Sequence, residues 1–154
     1  AHTDLRTQER ARELFLETSS LISPEGSVLL VIDDSHPIVS AIARWNIAPL
    51  LKRELSERLE LKLPPSVFSV VLVMDQAIGM QIANGLKKAA AEGRIPPSSC
   101  IYGPTEISKG QVKIVIHADK KDASALTDSM HELQRRRSIA KKELFTLRVE
   151  PYSL

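Results

Sequence analysis

Val67-Phe68-Ser69-Val70-Val71-Leu72-Val73-Met74 is the stretch on which the fold turns. Its residues are almost all aliphatic or β-branched. It follows Lys62-Leu63-Pro64-Pro65, which stops any helix arriving from upstream. A short apolar run bounded by such breakers reads as a strand. Downstream, Ala77–Ala91 carries Ile78, Ile82, Leu86 and Ala89 at helical spacing, and Gly93 with Pro96-Pro97 ends it. Ser99–Tyr102 reads as a short strand closed by Gly103-Pro104. Gln111–His117 alternates, with Val112, Ile114 and Ile116 on one side. Asp122–Arg136 reads as a helix with Ala123, Leu126, Met130 and Leu133 inward, and Leu144–Val149 as the last strand.

The resulting order, βαββαβ, is the split-βαβ or ferredoxin-like plan, an α/β (α+β) architecture. Both helices cover one face of the sheet and leave the other open. If Val112, Ile114 and Ile116 face the helices, Lys113, Val115 and His117 face outward. If Phe145, Leu147 and Val149 face inward, Thr146 and Arg148 face outward. No aromatic ladder is expected on that open face, so serial base stacking is not.

Upstream the pattern is helical, apart from one apolar run. Residues 4–19 form an expected helix with Ala11, Leu14 and Phe15 as its stripe. Ser27–Ile32 reads as a buried strand ended by Asp33-Asp34. Ser35 is an expected cap for a helix bearing Ile38, Ile42 and Trp45. A further helix to about Leu59 buries Leu51, Leu55 and Leu59, with Glu54 and Arg58 paired at i,i+4. The Lys62–Pro65 break divides the chain into residues 1–62 and 63–154.

Charge is distributed unevenly. Residues 1–108 hold 11 Lys/Arg against 13 Asp/Glu, and residues 109–148 hold 10 against 5. Arg135-Arg136-Arg137 and Lys141-Lys142 place five cations within eight residues. By itself such a run is also the mark of a solvated helix end. The mutual repulsion, with an open sheet alongside, points to a polyanion, since a phosphate backbone would offset it and release counterions. Lys113, Arg135, Arg136, Arg137, Lys141, Lys142 and Arg148 are therefore the candidate nucleic-acid-binding residues. Contacts would be to backbone phosphates, with little sequence selectivity.

Catalytic chemistry finds little footing. No G-x-x-x-x-G-K-[ST] run is present to cradle phosphates, so Val28–Asp34 is an ordinary strand ending in acid. Asp33-Asp34-Ser35-His36 is explained by a strand end and a cap rather than by a triad. His2, His36, His117 and His131 are scattered, with no metal-ligand spacing. The single cysteine, Cys100, can form no internal disulfide and reads as a small core residue. No catalytic or metal residue is assigned, and the expected location is the cytoplasm.

Several of these phrases resemble the bacterial replication-restart family of primosomal protein N′ (PriA), in its actinobacterial form. Arg53-Glu54-Leu55-Ser56-Glu57-Arg58-Leu59-Glu60-Leu61-Lys62-Leu63-Pro64-Pro65 is similar to the family's R-E-L-x-E-R-x-x-L-G-[YL]-P-P. Gly26–Val31 and Asp34-Ser35-His36-Pro37 look like its G-x-V-L-I-Q and P-D-H-P phrases. Arg148-Val149-Glu150-Pro151-Tyr152-Ser153-Leu154 resembles its V-D-V-D-P-x-x-L ending. Lys62 stands where the family has Gly, and Glu150 where it has Asp.

The resemblance implies that residues 1–62 are the tail of a RecA-like helicase lobe plus a connecting helix, and that residues 63–154 are a DNA-binding C-terminal domain. It implies partners: forked or single-stranded DNA, single-strand-binding protein and other primosome proteins, with no membrane. ATP and zinc would be held upstream in the parent family, leaving no cofactor and no enzyme activity for this chain. The alternative is an interaction module whose basic face docks an acidic peptide, such as the tail of single-strand-binding protein.

Overall fold

A computed structural model of the chain describes residues 7–31, 33 and 35–150. The chain divides near residue 60 into two units.

The first unit holds α1 (Thr7–Ser20), α2 (Pro37–Ala43) and α3 (Ala48–Glu60). His36, not Ser35, caps α2: its Nδ1 accepts from the Ile38 N–H at 3.2 Å, while Ser35 bonds Asp33. The i,i+4 pair of Glu54 and Arg58 forms at 2.7 Å, and Arg12 and Glu9 extend it into a four-residue network.

Two further expectations for this unit are overturned. Residues 27–31 form no strand, and Leu29 and Val31 are 88% and 87% exposed. A strand needs a partner for its main-chain groups, and no other strand occurs among the unit's described residues. Leu51, Leu55 and Leu59 are exposed rather than buried, leaving Ile38 and Ala41 as the buried apolar residues among those described in the unit. Ile32 and Asp34, residues 1–6 and Pro151–Leu154 lie outside the described residues.

The second unit is the βαββαβ plan. It comprises β1 (Phe68–Asp75), α4 (Gln76–Ala91), β2 (Cys100–Ser108), β3 (Gln111–Ala118), a 3₁₀ turn at Lys120–Asp122, α5 (Ala123–Ile139) and β4 (Thr146–Val149). The antiparallel sheet runs β2-β3-β1-β4. Each chain-adjacent pair joined through a helix is thus separated by an intervening strand.

The core fills the side to which both helices pack. Val70, Leu72, Val112, Ile114 and Ile116 from the sheet meet Ile82, Leu86, Leu126 and Met130 from the helices. Burying one such side chain stabilises by about 1.5–3 kcal/mol. Asp75 starts α4, its carboxylate accepting from the Ala77 N–H at 2.8 Å.

β2 is longer than expected and runs through Gly103-Pro104 to Ser108. Gly103 takes φ +100°, and a Cβ there would stand 2.8 Å from the Lys113 carbonyl oxygen. A glycine lets the strand bulge past its neighbour instead of ending. β4 is correspondingly shorter than expected, four residues.

Candidate nucleic-acid interface

The register assigns the paired strand residues to faces, because residues directly opposite share one. Across β2-β3-β1, the first row of the face turned from the helices is Cys100, His117 and Ser69. The next, across all four strands, is Tyr102, Val115, Val71 and Arg148. The third is Thr105, Lys113, Val73 and Thr146. Lys113 and Arg148 therefore stand on one face, above an aliphatic floor of Val71, Val73 and Val115. Neither has an ion-pair partner among the described residues.

This face differs from the sequence reading at three positions. Cys100 is exposed rather than in the core. His117 points away from the helices as expected but is only 7% exposed. Neither of its ring nitrogens has a hydrogen-bond partner among the described residues. Burial pushes its pKa down, opposed by the Lys62 main chain and the Glu150 carboxylate. Tyr102, expected at a strand's end, lies in the middle row. Its ring meets His117 edge-on, centroids 5.2 Å apart. Partial burial, then the Cys100 thiol, push the phenol's pKa up.

The other five candidates belong to the end of α5. Glu132 accepts from Arg135 Nε at 2.6 Å and from Arg136 Nε at 2.7 Å. These two bonds hold its pKa down to about 2. Both arginines are exposed, and their guanidinium groups share this one carboxylate. Arg137 turns inward: it is 8% exposed, and its Nε donates to the Glu143 carbonyl at 2.8 Å. Lys141, at φ +51°, turns the chain out of the helix, and Lys142 follows; both are exposed.

The structure thus brings Lys113 and Arg148 together on the sheet. It places Arg135, Arg136, Lys141 and Lys142 at the end of the helical layer, and Arg137 inside. A short stretch of chain joins the helix end to the sheet edge. The chain leaves Lys142 for Thr146, which pairs with Val73, itself opposite Lys113.

Among the described residues no cluster of His, Cys, Asp and Glu could hold a metal ion. None of their helices is long and apolar enough to cross a membrane.

No protein-family model matches the chain. Over 110 residues, 70% of its length, it is 29% identical to the probable replication restart protein PriA of Mycobacterium leprae. Over 72 residues, 45% of its length, it is 35% identical to the proteins of the same name from Mycobacterium tuberculosis and Mycobacterium bovis. These stretches are 16% and 11% of the relatives' own lengths, so the chain corresponds to a small part of them. The resemblance read in the residues is borne out: this chain is similar to mycobacterial replication restart proteins PriA, over most of its length for the Mycobacterium leprae protein and over less than half of it for the other two.

Proposed function

We propose that the chain is the DNA-binding C-terminal module of a cytoplasmic replication restart protein, and that residues 63–154 are the binding domain. The observation that carries this is the pairing of Lys113 with Arg148 on an aliphatic sheet face, with Arg135, Arg136, Lys141 and Lys142 at the end of α5. Cations on a sheet face and at a helix end suit a branched or flexible strand, bound through its phosphates. Arg137 is excluded from the contact set, because its guanidinium is committed to Glu143.

Residues 1–62 are, in this reading, the tail of a RecA-like helicase lobe with a connecting helix. Their exposed Leu29, Val31, Trp45 and Leu59 support it, since a unit with so little core of its own suits a piece of a larger domain. Neither ATP nor zinc is assigned to this chain, and no enzymatic step is assigned to it.

Fluorescence anisotropy of the chain with single-stranded and forked DNA at two salt concentrations tests the proposal. Binding that weakens with salt is expected. Replacing Lys113 and Arg148 together by Ala should lower the salt slope by roughly 2. Absence of binding at low salt, or binding of an acidic peptide with indifference to DNA, would overturn it.

A further inference from the structure

We infer that Tyr102 is a stacking platform for an unpaired nucleobase, so that the open sheet face takes single-stranded rather than duplex DNA; this rests on the nucleic-acid reading above and narrows it. Tyr102 is 51% exposed although it sits in the middle row of the sheet. Its edge contact with His117 restrains the ring, and a restrained aromatic loses little freedom when a base lies on it.

Its surroundings match a nucleotide strand. Lys113 is the diagonal neighbour of Tyr102 across β2 and β3, roughly 7–8 Å away between backbones. Arg148 ends the Tyr102 row three strand spacings away, roughly 14 Å. The ring thus has one cation close by and a second across the aliphatic floor. The three rows hold no carboxylate, and Glu150, at the His117 end, is engaged by the Ser69 N–H at 2.7 Å. A phenol is uncharged at neutral pH and so does not repel phosphates.

An acidic peptide would satisfy the two cations and leave the ring idle. A duplex keeps its base faces stacked inside and would do the same. A single strand presents both a phosphate and a planar face at each step, and every base has such a face.

The test compares oligo(dT), an abasic deoxyribose-phosphate strand of equal length and a duplex, each titrated against the full chain. Tyr102→Leu, which keeps bulk but removes the ring, should weaken oligo(dT) binding about five- to a hundred-fold. Binding to the abasic strand and to duplex should stay unchanged, and Tyr102→Phe should restore oligo(dT) binding. Equal loss on the abasic strand would overturn the inference, because the ring would then be only structural. So would an unaltered oligo(dT) affinity in Tyr102→Leu while Lys113→Ala with Arg148→Ala weakens it; the phosphate reading would survive. If the unaltered chain binds none of the three, both readings fall.

Discussion

The ring of Tyr102 meets the ring of His117 edge-on, at an interplanar angle of 60°, on the sheet face opposite the helices. One ring is half exposed and the other is buried, its nitrogens within no close hydrogen bond among the described residues. Burial disfavours the charged imidazole more than the Lys62 main chain and the Glu150 carboxylate favour it, so the folded chain favours neutral His117.

That neutrality has a pH signature. The folded pKa is lowered from 6.5, chiefly by burial, so below 6.5 the unfolded chain binds a proton that the folded chain refuses. Its contribution to stability is fully present above that value and declines as pH falls from it toward the folded pKa. Urea midpoints measured from neutral pH to about pH 5 should fall in the unaltered chain. In His117→Phe, which keeps an aromatic edge for Tyr102, this part of the slope should vanish. An equal slope in both chains would show that His117 is not the group responsible.

Glu132 restrains the two arginines most exposed to an anionic partner. Glu132→Gln should leave both guanidinium groups free and remove one negative charge from the cluster. If Arg135 and Arg136 meet phosphates, the variant binds DNA more tightly than the parent, and its affinity falls more steeply with salt. Acid alone does not reproduce this near neutrality. The carboxylate's pKa is lowered from 4.5 to about 2, so the pairing persists until pH falls through that interval. Identical DNA affinity and salt slope in parent and variant would remove the helix end from the interface.

The βαββαβ plan was legible because its signals are local. The Val67–Met74 run, the Ile82–Leu86 spacing and the alternation through Ile114 and Ile116 each name an element without its neighbours. Misreadings came where pairing decides. Ser27–Ile32 has the composition of a strand, but its described part finds no partner. Gly103-Pro104 has the composition of a stop, but a positive-φ glycine carries β2 past it. With the strand cut short at Tyr102, nothing marked that residue as facing the same way as Lys113. Arg137 was hidden for another reason: three adjacent arginines look alike in sequence, and helical phase alone turns the third inward.

That phase separates the three arginines in stability as well as in binding. Arg137→Met keeps the aliphatic bulk of a buried stem but deprives the Glu143 carbonyl of its donor, which should cost about 1–3 kcal/mol. Arg135→Met removes an exposed guanidinium and should change stability by less than about 0.5 kcal/mol. Denaturant unfolding of the two variants, compared with their DNA affinities, should show opposite orderings. Arg137→Met would then be the less stable protein and Arg135→Met the weaker binder. Equal stability of the two would show that the Glu143 contact contributes nothing.

Gly79 and Gly85 lie on the same helix, α4, and should respond to alanine with opposite signs. In a helix interior, alanine is favoured over glycine by roughly 1 kcal/mol when nothing obstructs the added methyl. At Gly85 nothing lies within 4 Å of the position a Cβ would take. Gly85→Ala should therefore stabilise by about 0.5–1 kcal/mol. At Gly79 the Cβ would stand 2.6 Å from Cγ2 of Val112, a residue only 5% exposed and fixed in β3. Helix and sheet approach closely there because glycine has no side chain, and an added methyl must push one from the other. Overpacking of this kind costs about 1–3 kcal/mol, which exceeds the helix-propensity gain. Gly79→Ala should lower the unfolding midpoint, and Gly79→Ala with Val112→Ala should recover part of the loss relative to Val112→Ala alone. The double-mutant cycle decides the cause: additive effects would mean that Val112 is not what forbids a side chain at Gly79.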